Sequence, residues 1–253
     1  MNIHDFNNIQ SIQIQTIDYC NRKCPWCPNK DLEKTTDRLM TKKIFLKILA
    51  DLKKLKYKGA FHPYLMGEPL CDKRFKDLVK IIRQQFPKNG MLVNTNGDFL
   101  KDKGDISELF KAGLHKIVIN LYDERNMHLK KDAQGMEKVI FRGIVFLKKR
   151  EFWNRGGLVN FSYGIPRRVS CNFIFQKMCI NYLGDVILCC SDYHYEVVYG
   201  NVMKTRLIDI WNSPKYKHVR QMHASGNGKK LPICEGCNRI KEEMNEIKSE
   251  ENG

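Results

Sequence analysis

Nowhere in this chain do eighteen apolar residues run together, and Met1 to Asn8 is polar, with no basic segment leading into an apolar one. The first absence excludes a membrane-spanning helix, which needs about 20 such residues. The second leaves no secretory signal to read. A cytoplasmic location without membrane association is the expectation. Internal repeats and low-complexity linkers are missing too, which excludes a solenoid or a string of tethered modules. Aromatic residues are not interleaved with the basic ones. The lysines behind the net charge of +16 recur as Lys42, Lys43, Lys47, Lys53, Lys54 and Lys80, the spacing of solvated helix faces. Nucleic acid is therefore not the expected partner, despite the basic balance.

Cysteine is plentiful. Ten thiols occur in 253 residues, and a reducing compartment keeps such thiols free, so their clustering points to metal rather than to disulfides. A hydrophobic content of 42% is enough for one substantial core with a smaller unit appended. Cys20, Cys24 and Cys27 form a C-x3-C-x2-C loop. A loop of that spacing curls round three corners of a four-iron cluster and leaves the fourth iron without a protein ligand. A zinc knuckle uses the same residue type but needs a fourth ligand, and none lies nearby in sequence. A second set, Cys171, Cys189, Cys234 and Cys237, is sufficient for a closed four-thiolate site, and by spacing alone it fits a structural zinc as well as a cluster. Cys71, Cys179 and Cys190 remain outside both sets.

Between the sets, strand and helix patterns alternate. Ser11 to Ile17 alternates as a strand and delivers the thiol loop at its end. Thr41 can cap a helix carrying Ile44, Phe45, Ile48, Leu49 and Leu52. Ala60 to Met66 reads as a strand, Phe75 to Ile82 as a helix, Met91 to Val93 as a strand, Ile106 to Ala112 as a helix stopped by Gly113, and Lys116 to Leu121 as a strand. Val139 to Leu147 reads as an amphipathic helix and Leu158 to Tyr163 as a further strand. Alternation of this kind implies an α/β fold with a parallel sheet and right-handed crossovers. Beyond Cys171 the pattern changes: Met178 to Leu183 and Val186 to Cys190 flank the turn pair Gly184-Asp185, an antiparallel hairpin, and short helices follow at Leu207 to Trp211 and Tyr216 to Met222. Lys241 to Gly253 is highly charged and reads as a fraying tail or surface helix.

Cys20 to Cys27, with aromatic Trp26 before the last thiol, resembles the signature of the radical S-adenosylmethionine (SAM) superfamily. The resemblance implies an open, partial β/α barrel over residues 1–165, in which the open iron chelates SAM and an electron splits it to a 5'-deoxyadenosyl radical. Gly67-Glu68-Pro69 matches the motif that binds the methionyl amino group there, and its chemistry suits the role: a close-approach glycine, a carboxylate acceptor and a stiffening proline. Asn94, Thr95 and Asn96, ending the third strand, correspond to residues near the ribose, and Trp26 to one near the adenine. From Cys171 on, with Gly200-Asn201-Val202, Asp209-Ile210-Trp211 and the final C-x2-C, the chain is similar to the twitch or SPASM-type domain of these enzymes, over residues 166–253. Too few cysteines are present for the full two-cluster form, so a single auxiliary [4Fe-4S] cluster is implied. Cys189 rather than Cys190 fits the hairpin position of that pattern.

Over nearly its whole length the chain resembles the short, twitch-bearing alcohol-oxidising members of the superfamily. That implies abstraction of hydrogen from a hydroxyl-bearing carbon of a cyclitol, aminocyclitol or sugar, with the auxiliary cluster accepting the second electron. Arg155, before a Gly-Gly turn, corresponds to the residue that orients the hydroxyl; as a permanently charged group it suits positioning better than proton abstraction. A low-potential donor such as flavodoxin or ferredoxin is implied as the reductant. The alternative is a redox-neutral reaction, such as epimerisation of a sugar or peptide carbon, with Cys71, Cys179 or Cys190 returning a hydrogen atom.

Overall fold

The computed structural model describes residues 3–143, 154–159 and 171–238. Strand β1 (Ser11–Ile14) is buried along its whole length and lies between two parallel neighbours, β2 (Ala60–His62) and β6 (Lys177–Ile180). Its residue Ile12 is opposite Phe61 on one side and Met178 on the other. Such two-sided burial is why Ser11 to Ile14 sits at the centre and not at an edge. From β6 the sheet continues through two antiparallel strands, β7 (Asp185–Ile187) and β8 (Val198–Asn201), to the order β2-β1-β6-β7-β8. A second, all-parallel sheet has the order β3 (Leu92–Thr95), β4 (Lys116–Asn120), β5 (Val139–Arg142), and a parallel bridge from Phe61 to Met91 links it to β2. The two sheets form one open, curved wall, the partial barrel expected of the alternating pattern.

Helices cover it where the apolar periodicity places them. Helix α1 (Lys42–Lys54) starts where the Thr41 side chain accepts the Ile44 N–H at 3.3 Å, and it buries Phe45, Ile48, Leu49 and Leu52. Helix α2 (Phe75–Gln85) buries Phe75, Leu78, Val79 and Ile82, and α3 (Lys103–Ala112) ends at Gly113, whose φ of 122° is unfavourable for any residue with a Cβ. The short α4 (His128–Asp132) follows β4, and α5 (Phe173–Gln176) precedes β6. Helices α6 (Leu207–Trp211), α7 (Pro214–Ala224) and α8 (Pro232–Glu235) close the C-terminal part.

Three expectations need correction. The second strand stops at His62, not Met66, because Pro63 has no N–H to give to a ladder. Val139 to Arg142 is a strand, not the start of a helix: β-branched and aromatic side chains pair in register with β4, Ile140 opposite Val118; residues 144–147 lie outside the described residues. Leu158 and Val159 are not in a strand, and the remainder of that expected element, residues 160–163, lies outside the described residues, as does the charged tail. The hairpin beyond Cys171 is present, but its first strand is also a parallel partner of β1, so the C-terminal unit shares a sheet with the N-terminal one. No helix among the described residues is long and apolar enough to cross a membrane.

Candidate active site

The carboxyl ends of β1, β2, β3 and β4 deliver, in turn, the thiol loop, Gly67-Glu68-Pro69, Asn94 to Asn96, and Tyr122. Loops beyond strand ends are where parallel α/β folds keep their chemistry. Gly67 lies directly under the entry to the thiol loop, where a Cβ would collide with the Ile17 carbonyl and sit 2.9 Å from that of Tyr19. Only glycine lets the two segments approach. Glu68 N–H donates to the Tyr19 carbonyl at 2.8 Å, which fastens the contact.

Glu68 is buried, and its carboxylate gathers the neighbouring motif. Oε1 accepts from Thr95 Oγ1 at 2.7 Å and from Leu70 N–H at 3.1 Å, and Oε2 accepts from Asn96 N–H at 2.8 Å. Burial raises its pKa to about 7, against the pull of those three bonds. With four lone-pair positions on the two oxygens, one on Oε2 remains available. Pro69 opens a turn at its first position, where its missing N–H costs nothing. Asn94 donates Nδ2 to the Tyr64 hydroxyl at 2.9 Å, while its Oδ1 is buried with no partner among the described residues. Asn96 Nδ2 donates to Asn21 Oδ1 at 2.8 Å and lies 4.0 Å from Cys20 Sγ. Glu68, Thr95 and Asn96 are thus brought together with the thiol loop.

The loop itself is anchored by charge. Arg22, buried, forks onto Asp98, with Nε at 2.7 Å from Oδ2 and NH2 on Oδ1, and reaches Asp123 with NH1 at 2.9 Å. Burial pushes the Asp98 carboxyl up, but its bonds from Arg22, Asn126 and Asn21 outweigh this and hold it below its ordinary range. At the loop's base buried Asp18 takes Lys34 at 2.5 Å and Arg38 at 2.8 Å. Cys20, Cys24 and Cys27 all lie half-buried, and both Cys20 and Cys24 feel the charge of Cys27. Burial, first, then the charge of Glu68 and of Cys27 push the Cys20 thiol up to about 12, and burial with Cys27 pushes that of Cys24 to about 11, so free thiolates are costly here without a cation to compensate them. Trp26 leans on Tyr122, ring centroids 5.7 Å apart.

Arg155 stands across from this wall. It has φ 52°, followed by Gly156 at 73° and Gly157 at 93°, three successive left-handed residues of which only the glycines adopt the region freely. The strained turn is clamped: Asn154 N–H donates to Asn238 Oδ1 at 2.7 Å, Asn154 Nδ2 to the Gly236 carbonyl at 2.5 Å, and Asn238 N–H to Asn154 Oδ1 at 3.2 Å. Gly156 lies against Ile233, 3.1 Å from where its Cβ would be, and against Ser191. The Arg155 turn is therefore fixed to the segment that carries Cys234 and Cys237. Its charge acts on two phenols, half-buried Tyr122 and buried Tyr193, whose ionisation is disfavoured by desolvation. Tyr193 also meets the first thiol set, its hydroxyl 3.9 Å from Cys27 Sγ.

In the second set, Cys189 feels Cys234, and one imidazole bridges the other arm: His223 Nδ1 accepts the Cys171 N–H at 3.3 Å and Nε2 lies 3.6 Å from Cys234 Sγ. Cys237 is one turn on, its N–H donating to the Cys234 carbonyl at 3.3 Å. Cys190 acts by its charge on both Cys189 and Tyr193. Among the described residues no three His, Cys, Asp or Glu side chains converge on a single metal ion. A four-iron cluster does not ask for that, since each thiolate binds a different iron around an enclosed volume. Of the remaining cysteines, Cys71 Sγ donates to Asn21 Oδ1 at 3.7 Å, beside the first set, and Cys179 to Gln13 Oε1 at 3.2 Å, inside the sheet.

Residues 14–168, more than half of the chain, match the radical SAM superfamily profile. The chain belongs to the radical SAM superfamily. It is accordingly an enzyme that uses SAM and a [4Fe-4S] cluster, and residues 171–238 match the SPASM iron-sulfur cluster-binding domain, which brings a further cluster. Among curated proteins it is similar to the S-adenosyl-L-methionine-dependent 2-deoxy-scyllo-inosamine dehydrogenase of Niallia circulans, 25% identical over 232 residues, covering 90% of this chain and 92% of that one. A GTP 3',8-cyclase of Clostridium perfringens is 31% identical over 120 residues, only 45% of this radical SAM chain and 34% of the cyclase. Among solved structures, BtrN in complex with AdoMet and 2-DOIA has a TM-score of 0.82 at 26% identity, covering 92% of this chain and 94% of that one.

The spacing of the thiols and the two turn motifs was open to sequence reasoning. Tyr122, Tyr193, Arg22 with its two aspartates, and the Asn154–Asn238 clamp were not, because each joins segments far apart in the chain. The one signal available for Tyr122 was its place just after a strongly patterned strand.

Proposed function

We propose that this protein is a SAM-dependent dehydrogenase that oxidises a secondary alcohol of a cyclitol, aminocyclitol or sugar to the ketone. The observation that carries the reading is the Arg155 turn: a strained, clamped cation whose charge reaches half-buried Tyr122 and buried Tyr193, tied on one side to Cys234 and Cys237 and, through Tyr193, to Cys27. A dehydrogenase needs an alcohol held between a radical source and an electron acceptor. Similarity to the Niallia enzyme along almost the full chain supports carrying the reaction class, though not the individual substrate.

In this reading residues 1–165 form the SAM core and 166–253 the auxiliary unit. Cys20, Cys24 and Cys27 hold the first cluster, and Cys171, Cys189, Cys234 and Cys237 the second. The residues present fit these groups. The orphaned Oδ1 of Asn94 calls for a donor such as a ribose hydroxyl, and the last acceptor position of Glu68 for an ammonium. Gly67 and Pro69 shape the approach, Thr95 and Asn96 hold Glu68 and the thiol loop in place, and Trp26 backed by Tyr122 offers a flat wall to adenine. When bound, SAM and the two clusters supply a radical that removes the carbinol hydrogen and an acceptor for one further electron. Arg155 keeps its charge throughout, so it orients the hydroxyl and stabilises negative charge on the oxygen as its proton leaves to solvent. Tyr122 and Tyr193 confine the carbon. A low-potential flavodoxin or ferredoxin serves as reductant.

A candidate alcohol deuterated at the carbinol carbon tests this under anaerobic turnover: one deuterium is expected in 5'-deoxyadenosine and none in a ketone product. The redox-neutral alternative draws on one observation, Cys71 lying beside Asn21 and within the field of Cys20. Solvent deuterium entering the product, and lost in Cys71→Ala, would choose it instead.

A further inference from the structure

Three donors unused by the site described above surround the second thiol set. Tyr199, on β8, and Tyr216, on α7, stack with ring centroids 3.9 Å apart and planes 2° from parallel. They are 8% and 0% exposed, and neither hydroxyl has a hydrogen-bond partner among the described residues. A buried hydroxyl without a partner costs about 1–3 kcal/mol, so a stack of two calls for an acceptor beyond the described residues. Both rings belong to the core against which Cys189 and Cys234 pack, and thiol charge reaches both, that of Cys189 and Cys234 at Tyr199 and that of Cys179 and Cys189 at Tyr216. His223 is the third donor. Because its Nδ1 accepts the Cys171 N–H, its proton is on Nε2, 3.6 Å from Cys234 Sγ. Gly228 allows this, since a Cβ there would overlap the imidazole ring.

We infer that Tyr199, Tyr216 and His223 form a hydrogen-bond donor shell around the sulfurs of the second cluster, fixing its potential so that it can take up the electron left on the substrate. The inference rests on the proposed ligand set Cys171, Cys189, Cys234 and Cys237. Donors aimed at cluster or thiolate sulfur stabilise the reduced, more negative form and raise the potential. The balance is one electron: the substrate radical loses it as its hydroxyl proton leaves, and the cluster gains it. These are positioning residues, since none touches substrate.

The test is an anaerobic redox titration of the reconstituted holoenzyme followed by electron paramagnetic resonance, on wild type, Tyr199→Phe, Tyr216→Phe and His223→Gln. Iron analysis comes first. If wild type holds iron for one cluster only, the ligand set is wrong and the shell falls with it. With both clusters loaded, each Tyr→Phe change should shift the one-electron equilibrium of the second cluster towards the oxidised form by about tenfold, about 59 mV, and leave the first unmoved. His223→Gln, which keeps an N–H donor, should shift it less than His223→Phe. In cluster-free protein both Tyr→Phe variants should be as stable as wild type or more so, because an unpaired buried hydroxyl is gone. Unchanged potentials at full loading would overturn the inference. So would a strongly coupled nitrogen in protein labelled with 15N-histidine, which would make His223 a ligand. Should a variant fail to load, wild type still decides: protons coupled to the reduced second cluster must be seen in ordinary water and lost in heavy water, and the absence of any such exchangeable coupling overturns the shell.

Discussion

Cys20, Cys24 and Cys27 lie on a loop pinned by ions and amides, Arg22 to Asp98 and Asp123, Asp18 to Lys34 and Arg38, Asn96 to Asn21. Cys171, Cys189 and Cys234 lie instead among rings and apolar side chains, with Tyr193, Tyr199, Tyr216, Phe173 and His223 as neighbours. In the proposed reading the contrast follows the task of each. A loop that must stay open on one side to admit a charged cosubstrate cannot be wrapped in a core, so its shape has to come from long, directional charge-assisted bonds. A centre that only stores an electron can be enclosed, and enclosure limits the rearrangement of solvent when its charge changes. The Arg155 turn is held by the second region, through Gly236 and Asn238, while its charge reaches Tyr122.

That comparison can be broken most sharply by Cys24→Ala, which should abolish deoxyadenosine formation while the second cluster's resonance signal survives; loss of both signals together would mean the two regions are not separable. Next in size, Arg22→Met leaves half-buried Asp98 beside Asn21 and Asn126 with its cation gone. Removing one member of a buried pair costs about 3–5 kcal/mol, and the partial exposure of Asp123 lowers the expectation to about 2–3 kcal/mol, read as a fall in thermal midpoint. The corresponding loss in the aromatic region, Tyr199→Phe, should leave the midpoint of cluster-free protein unchanged. Asn238→Ala removes one bond from the Arg155 clamp, that from Asn154 N–H to the Asn238 side chain, at about 1 kcal/mol, and turnover should fall severalfold with SAM affinity unaltered. Equal losses in SAM binding would show that the turn serves the cosubstrate and not the alcohol.

The smallest effect concerns Glu68, whose pKa burial raises to about 7. A raised carboxyl favours its protonated form in the fold, so its contribution to apo stability is fully present below the ordinary value near 4.5 and is lost as pH rises through about 7. Compared with Glu68→Gln, the wild-type midpoint should therefore drop between pH 5.5 and 8. Over the same interval wild-type affinity for SAM should rise severalfold, as the ionised carboxylate meets the ammonium, and the Gln variant should show little change. Calorimetry at three pH values checks both signs.

Much of this molecule could be read from the chain because its signals are local. The helices α1 and α2 announce themselves by apolar spacing, and the thiol loop by three cysteines in eight residues. Val139 to Arg142 misled because a run of three apolar residues fits either period, and only pairing with β4 decides it. The site's supports were illegible for a different reason. Arg22 finds Asp123 across 101 residues, Asn154 finds Asn238 across 84, and Tyr193 reaches Cys27 across 166, so nothing near any of them in sequence betrays the contact.

The most direct test counts products against cosubstrate in heavy water, with reconstituted enzyme, a low-potential reductant and a panel of cyclitols and amino sugars. One ketone should form for each 5'-deoxyadenosine released, with no solvent deuterium on carbon. A product at the redox level of the substrate, carrying deuterium at the reacting carbon, would contradict the assignment of the second region as an electron acceptor.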